Sequence, residues 1–139
     1  MTTTSAAASF VSIRIVTSDV DRLVGSYENA TGITADWSTH DFAEIHTGKA
    51  TLAIAHTRTI TLSASDAAEP ASNRSVIVEF LLADVDGAHR RLAAAGQQFV
   101  QEPTTMPWGN RSLLFRDPDG NLVNFFTPVT EQAIARSGG

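Results

Sequence analysis

The stretch Pro107-Trp108-Gly109-Asn110-Arg111-Ser112-Leu113-Leu114-Phe115-Arg116-Asp117-Pro118-Asp119-Gly120-Asn121-Leu122-Val123-Asn124-Phe125-Phe126 decides how this chain is read. Two strand-like runs, residues 112–116 and 122–127, flank Asp117-Pro118-Asp119-Gly120. Proline presets φ for the second position of a turn, and glycine accepts the positive φ that ends it. Asp117 is placed to bond backbone donors downstream. The spacing predicts a β-hairpin, which by itself carries no function.

Reading outward from the hairpin uncovers a repeat. Residues 75–82 predict a strand, Ala83-Asp84-Val85-Asp86 a helix start, residues 85–95 a helix ending at Gly96, and residues 98–101 another strand. The first half has the same order. Residues 11–17 alternate as a strand, and Ser18-Asp19-Val20-Asp21 mirrors the later helix start. Val20, Leu23, Val24 and Tyr27 follow at helical spacing, and Thr31-Gly32 closes the helix. Short strands are expected near residues 34–37, 42–46 and 51–56, with Thr47-Gly48-Lys49 turning between the last two. Each half therefore reads strand, helix, three strands. The expected organisation is one domain: a first module over about residues 10–57, a linker over 58–74, a second module over about 75–128, and a tail over 129–139. The Ser-, Ala-, Asp- and Pro-containing linker reads as a connector or a mobile flap. Residues 131–139 read as a short helix fraying into the tail.

With 139 residues, 42% of them hydrophobic, the chain has the size and composition of an ordinary globular domain with a real core. A net charge of -5 argues against nucleic acid or an anionic membrane as the main partner. There is no cysteine, which excludes disulfides, thiolate nucleophiles and Cys-based zinc sites and fits a reducing compartment. No apolar run reaches the length of a membrane span. Residues 1–9 are small and polar, unlike a signal peptide, and are expected to be a disordered cytoplasmic terminus.

The duplicated unit, Asp-Val-Asp at each helix start and Asp117-Pro118-Asp119-Gly120-Asn121 before the last strand resemble the vicinal oxygen chelate superfamily. That group includes glyoxalase I, extradiol dioxygenases, fosfomycin-resistance enzymes and bleomycin-resistance proteins. The resemblance covers about residues 11–127 and is most specific from Trp108 to Val123. It implies an α+β fold of two tandem βαβββ modules, curved into a cup-shaped mixed sheet with helices outside, and a homodimer. It also implies metal ligands, in metal-using members, on the first strand of each module and on the last strand of one or both. Those positions fall here on Ser12, Ile77 and Asn124, with the remaining one near Ala53. Such a set makes a very poor divalent site, so no metal and no other cofactor is expected there.

Strand alternation places Ser12, Arg14 and Val16 on one face, with Ile13 and Ile15 on the other. Likewise Ile77, Glu79 and Leu81 oppose Val78, Phe80 and Leu82, and Leu122, Asn124 and Phe126 oppose Val123 and Phe125. The wholly apolar sets suit packing under helices, and the mixed sets suit a cavity with few polar anchors. The expected ligand contacts are thus Ser12, Arg14, Ile77, Glu79, Trp108, Leu122, Asn124 and Phe126. Arg14 and Glu79 either pair structurally across the sheet or act, as anion anchor and base, on a bound molecule. Trp108 reads equally as a wall for a flat ligand or as packing, and Trp37 as core. His89, beside Arg90 and Arg91, reads as a solvated helix position; His40, His46 and His56 read as ordinary strand-side histidines lacking the superfamily spacing. Asp19, Asp21, Asp84 and Asp86 read as helix caps. Gly48, Gly109 and Gly120 form no phosphate loop, and no nucleophile elbow is present.

Three functions compete. The first is a metal-independent cup that holds a small organic molecule, as in antibiotic sequestration. The second is a metal-free acid–base enzyme, an isomerase, lyase or cyclase, with Glu79, Arg14 or a histidine as catalytic groups. The third is a divalent-metal lyase or dioxygenase with relocated ligands.

Overall fold

The computed structural model describes residues 7–61 and 66–138; most of the N-terminal segment expected to be disordered, and part of the linker, lie outside the described residues. The first module runs β1 (Ser12–Thr17), α1 (Val20–Thr31), β2 (Asp36–Thr39), β3 (Phe42–His46) and β4 (Thr51–His56). The second runs β5 (Ile77–Leu81), α3 (Val85–Ala94), β6 (Phe99–Thr105), β7 (Asn110–Arg116) and β8 (Leu122–Pro128). A single helical turn, α2 (Arg58–Thr61), begins the linker, and α4 (Glu131–Ser137) closes the described chain. Strand order is β1-β4-β3-β2 in one sheet and β5-β8-β7-β6 in the other. In each, the first and last strands of the module pair in parallel, and the other neighbours are antiparallel. The fold is α+β, two tandem βαβββ modules. Among the described residues no helix is long and apolar enough to cross a membrane.

Local chemistry explains the element starts. The Asp19 carboxylate accepts from the Arg22 amide at 3.1 Å, and Asp84 accepts from the Gly87 amide at 3.0 Å. The repeated aspartates are therefore N-caps, each worth about 1 kcal/mol. Val20, Leu23, Val24, Tyr27 and Ala30 lie on the buried stripe of α1. They pack on Ala43, Ile45, Leu52 and Ile54, while Val85, Ala88 and Leu92 of α3 join Leu113, Phe115, Val123 and Phe125. All of these residues form one continuous core. Phe125 sits edge-on to Phe80 and Phe115, with ring centroids 5.6 and 5.0 Å away.

Among the described residues, polar contacts from Arg91 and Tyr27 join the modules. Arg91 of α3 donates to the carbonyls of Asn29 and Ala30 at 2.8 and 2.9 Å, capping the C-terminal end of α1. Deeper in, the Tyr27 hydroxyl donates to Asp117 Oδ2 at 2.7 Å. Asp117 also accepts from the Asp119 and Asn121 amides and from the Asn121 side chain. The turn aspartate is thus local turn-former and inter-module latch at once. Burial, then the Asp117 charge, pushes the Tyr27 phenol well above its ordinary value.

Three elements depart from expectation. β6 runs to Thr105 rather than ending near residue 101, passing through Pro103. It is an edge strand, where a missing N–H breaks no inner ladder, and its register with β7 shifts twice. β2 starts two residues later than expected. Trp37, read as core, is exposed because β2 is the outer strand of its sheet.

Candidate functional site

The β5–β8 ladder pairs Ile77 with Leu122, Glu79 with Asn124 and Leu81 with Phe126. The two-residue side-chain period puts these six on one face, opposite Val78, Phe80, Val123 and Phe125 of the core. That face is open. Ile77 and Leu81 remain 47% and 51% exposed. Leu81 joins it without having been expected as a ligand contact; the period along the strand is the signal that finds it. In the middle, Asn124 Nδ2 donates to Glu79 Oε2 at 2.8 Å. Asn124 Oδ1 is shielded from solvent and has no hydrogen-bond partner among the described residues. The result is an apolar wall carrying a single polar pair.

This arrangement corrects the alternative in which Arg14 pairs with Glu79. Arg14 lies in the other sheet, opposite Ala53, and forms no ion pair among the described residues. Ser12 stands opposite Thr51 on the same face as Arg14. Among the described residues no hydrogen bond joins this first-module pair to the β5–β8 set. β1 and β5 are each one edge of their sheets, and residues 68–73 run past them. They help line a cleft of about 200 Å³ that Arg14, Val16, Val76 and Val78 also reach.

Trp108 stands in the turn between β6 and β7, 56% exposed, and touches no other ring among the described residues. The turn is closed by the Gly109 amide on the Met106 carbonyl at 2.9 Å. Behind it lies α4, whose Arg136 guanidinium donates to the Trp108 carbonyl. The Lys49 ammonium donates to the Ser137 carbonyl at 3.2 Å, so α4 also ties the β3–β4 turn of the first module to this corner.

No histidine lies on β1, β5 or β8. His40 sits beside Asp41, and His56 Nδ1 accepts from the Arg58 amide at 3.1 Å. His89, expected to be solvated, is half-buried with its ring 4.7 Å from Phe99. His46 lies on β3 beside Asp36 and Glu44.

Comparison with known proteins agrees with this fold. Residues 9–125 match the family model described as Glyoxalase/Bleomycin resistance protein/Dioxygenase superfamily. The chain belongs to this superfamily. A solved glyoxalase/bleomycin resistance protein/dioxygenase from Nocardioides is 27% identical, with a TM-score of 0.72 over 92% of this chain and 88% of that one. A protein of unknown function from Agrobacterium tumefaciens shares the fold at 22% identity and a TM-score of 0.75, over 89% of this chain and 97% of that one. A superfamily enzyme from Burkholderia phytofirmans shares it at 18% identity and 0.73, over 85% and 97%. Comparison with curated proteins gives no match.

The superfamily positions can now be tested as a metal site. Arg14 faces Ala53 as Glu79 faces Asn124, so the register makes Ala53 the first-module counterpart of Asn124. Ile77 and Ala53 offer no donor atom. The Asn124 amide nitrogen is committed to Glu79 and its oxygen is shielded. What remains is the Ser12 hydroxyl and the shielded Asn124 Oδ1, and two neutral oxygens in different sheets do not hold a divalent ion. The residues do not fit a metal at these positions.

Proposed function

We propose that this protein binds an apolar organic small molecule against the β5–β8 face, without a metal at the superfamily positions, and acts by sequestering it. The observation that carries the reading is the open face itself. Ile77, Leu81, Leu122 and Phe126 surround the Glu79–Asn124 pair, and no residue of the shared core covers them. Sites of this kind take affinity from apolar contact and orientation from a few polar groups. A candidate ligand is a bulky or planar antibiotic able to donate a hydrogen bond to Glu79. We further propose that a second copy of the chain completes the cup, since the face is too exposed in one chain to enclose a ligand. The cysteine-free composition is compatible with a cytoplasmic setting.

The test is calorimetric titration with a panel of planar and macrocyclic antibiotics, with and without chelator. Saturable binding, unchanged by chelator and with ligand recovered intact, is expected. Ile77→Lys is expected to weaken it by about tenfold or more, the equivalent of losing one buried aliphatic side chain, while leaving thermal unfolding unchanged. Failure of the whole panel, or binding indifferent to Ile77→Lys, overturns the proposal. Light scattering is expected to give twice the 14.8 kDa chain mass.

One observation favours a second reading. Glu79 accepts through Oε2 alone, and Oε1 has no hydrogen bond among the described residues. That oxygen is available as a general base in an apolar setting. Chelator-resistant turnover that disappears in Glu79→Ala would select the metal-free enzyme over the binding protein.

A further inference from the structure

The first-module sheet carries a separate cluster of donors. Asp36 on β2 stands opposite Glu44 on β3, and His46 follows Glu44 by two residues, so the three share one face. One ligand atom from each lies within 4.8 Å of the others. His46 Nε2 is 3.4 Å from an Asp36 oxygen and 3.6 Å from a Glu44 oxygen. Two atoms bound about 2.1 Å from one ion stand roughly 3.0–3.4 Å apart in octahedral or tetrahedral geometry. The two histidine–carboxylate separations are within a few tenths of an ångström of that.

Two further observations point to a cation. His46 Nδ1 lies 3.2 Å from Thr51 Oγ1 on β4. When that nitrogen donates its proton to Thr51, the Nε2 lone pair faces the two carboxylates, the tautomer a metal requires. In addition, neither Asp36 nor Glu44 meets a lysine or arginine among the described residues. The contrast is with Asp41, bonded by Arg58 at 2.8 Å, and Asp86, gripped by Arg111 at 2.9 and 3.0 Å.

We propose that Asp36, Glu44 and His46 bind one divalent transition-metal ion, with Zn2+ the best match and the remaining coordination positions open. Imidazole and carboxylate donors together suit zinc, whereas magnesium and calcium prefer oxygen alone. The cluster shares a face with Ser12 and Arg14, two strands from β1, about 10 Å away at ordinary strand spacing. Glu44 pairs directly with Ala53, but none of the three donors occupies one of the four superfamily positions, and the cluster stands or falls independently of ligand binding at β5–β8.

The experiment uses the untagged full chain, stripped with chelator and titrated with zinc chloride by calorimetry. One zinc per chain is expected. His46→Ala and Asp36→Asn are each expected to weaken it at least about tenfold, and Thr51→Val by about tenfold through loss of the ring's orienting partner. His40→Ala and His56→Ala are expected to change nothing. In NMR spectra the His46 ring signals should move with zinc and stay still with magnesium. No saturable zinc binding, binding that survives His46→Ala, or equal loss in His56→Ala overturns the proposal.

Discussion

Asp117→Ala is expected to lower the unfolding free energy by about 3–5 kcal/mol, the range for removing one partner from a buried, charged hydrogen-bond network. The carboxylate is 8% exposed and accepts four hydrogen bonds, from Tyr27, Asn121 Nδ2 and the Asp119 and Asn121 amides. Alanine leaves the Tyr27 hydroxyl and the Asn121 side chain buried without their acceptor, and the turn loses its internal brace. Tyr27→Phe removes only one of the four bonds and is expected to cost about 1.5–3 kcal/mol. Urea unfolding of both variants checks the ranking; equal stability of Asp117→Ala and the parent would disprove the latch. The phenol adds a pH signature. Its folded pKa is raised above the ordinary value of 10.0, so above about pH 10 the unfolded chain sheds a proton that the folded chain keeps. Stability contributed below that pH is lost as pH rises further. Tyr27→Phe is expected to flatten that alkaline decline.

Gly109→Ala is expected to cost about 2–4 kcal/mol, combining backbone strain with loss of a helix cap. Gly109 has φ +93°, and a Cβ there would fall 2.1 Å from Thr130 Oγ1 and 3.0 Å from Ala133 Cβ. Thr130 cannot simply turn aside, because that oxygen accepts from the Ala133 amide and caps α4. The Gly109 carbonyl also holds the Val129 amide at 2.9 Å. Relief of the clash therefore lifts α4 from the Trp108 turn. In a Trp37→Phe background, Trp108 fluorescence is expected to change along with the melting temperature. Gly120→Ala is the comparison. Its φ is +85°, but a Cβ there meets nothing within 4 Å, so only the strain of about 1–2 kcal/mol applies. A smaller effect at Gly109 than at Gly120 would refute the packing argument.

Much of this molecule was legible in its sequence because the rules involved are local. A period of two separates Phe125 from Asn124 and Phe126, and a period of 3.6 lines up Val20, Leu23, Val24 and Tyr27. Aspartates before those periods cap the helices, and Asp117-Pro118-Asp119-Gly120 can hardly do other than turn. These properties belong to a few consecutive residues and the stereochemistry of the backbone. The duplicated order of elements then pointed to the superfamily.

Partnership between elements was not legible. Tyr27 and Asp117 are 90 positions apart, and nothing near either names the other. From sequence Glu79 reads as a partner of Arg14 or as a group acting on a bound molecule; parallel pairing of β5 with β8 put it opposite Asn124, and Arg14 was left in another sheet. His46 became notable only when β2 brought Asp36 across from Glu44. Pattern along the chain states which face a side chain shows, since that depends on dihedral angles it carries itself. Which atoms meet across that face depends on strand order and register, and these are settled by how the whole apolar core closes.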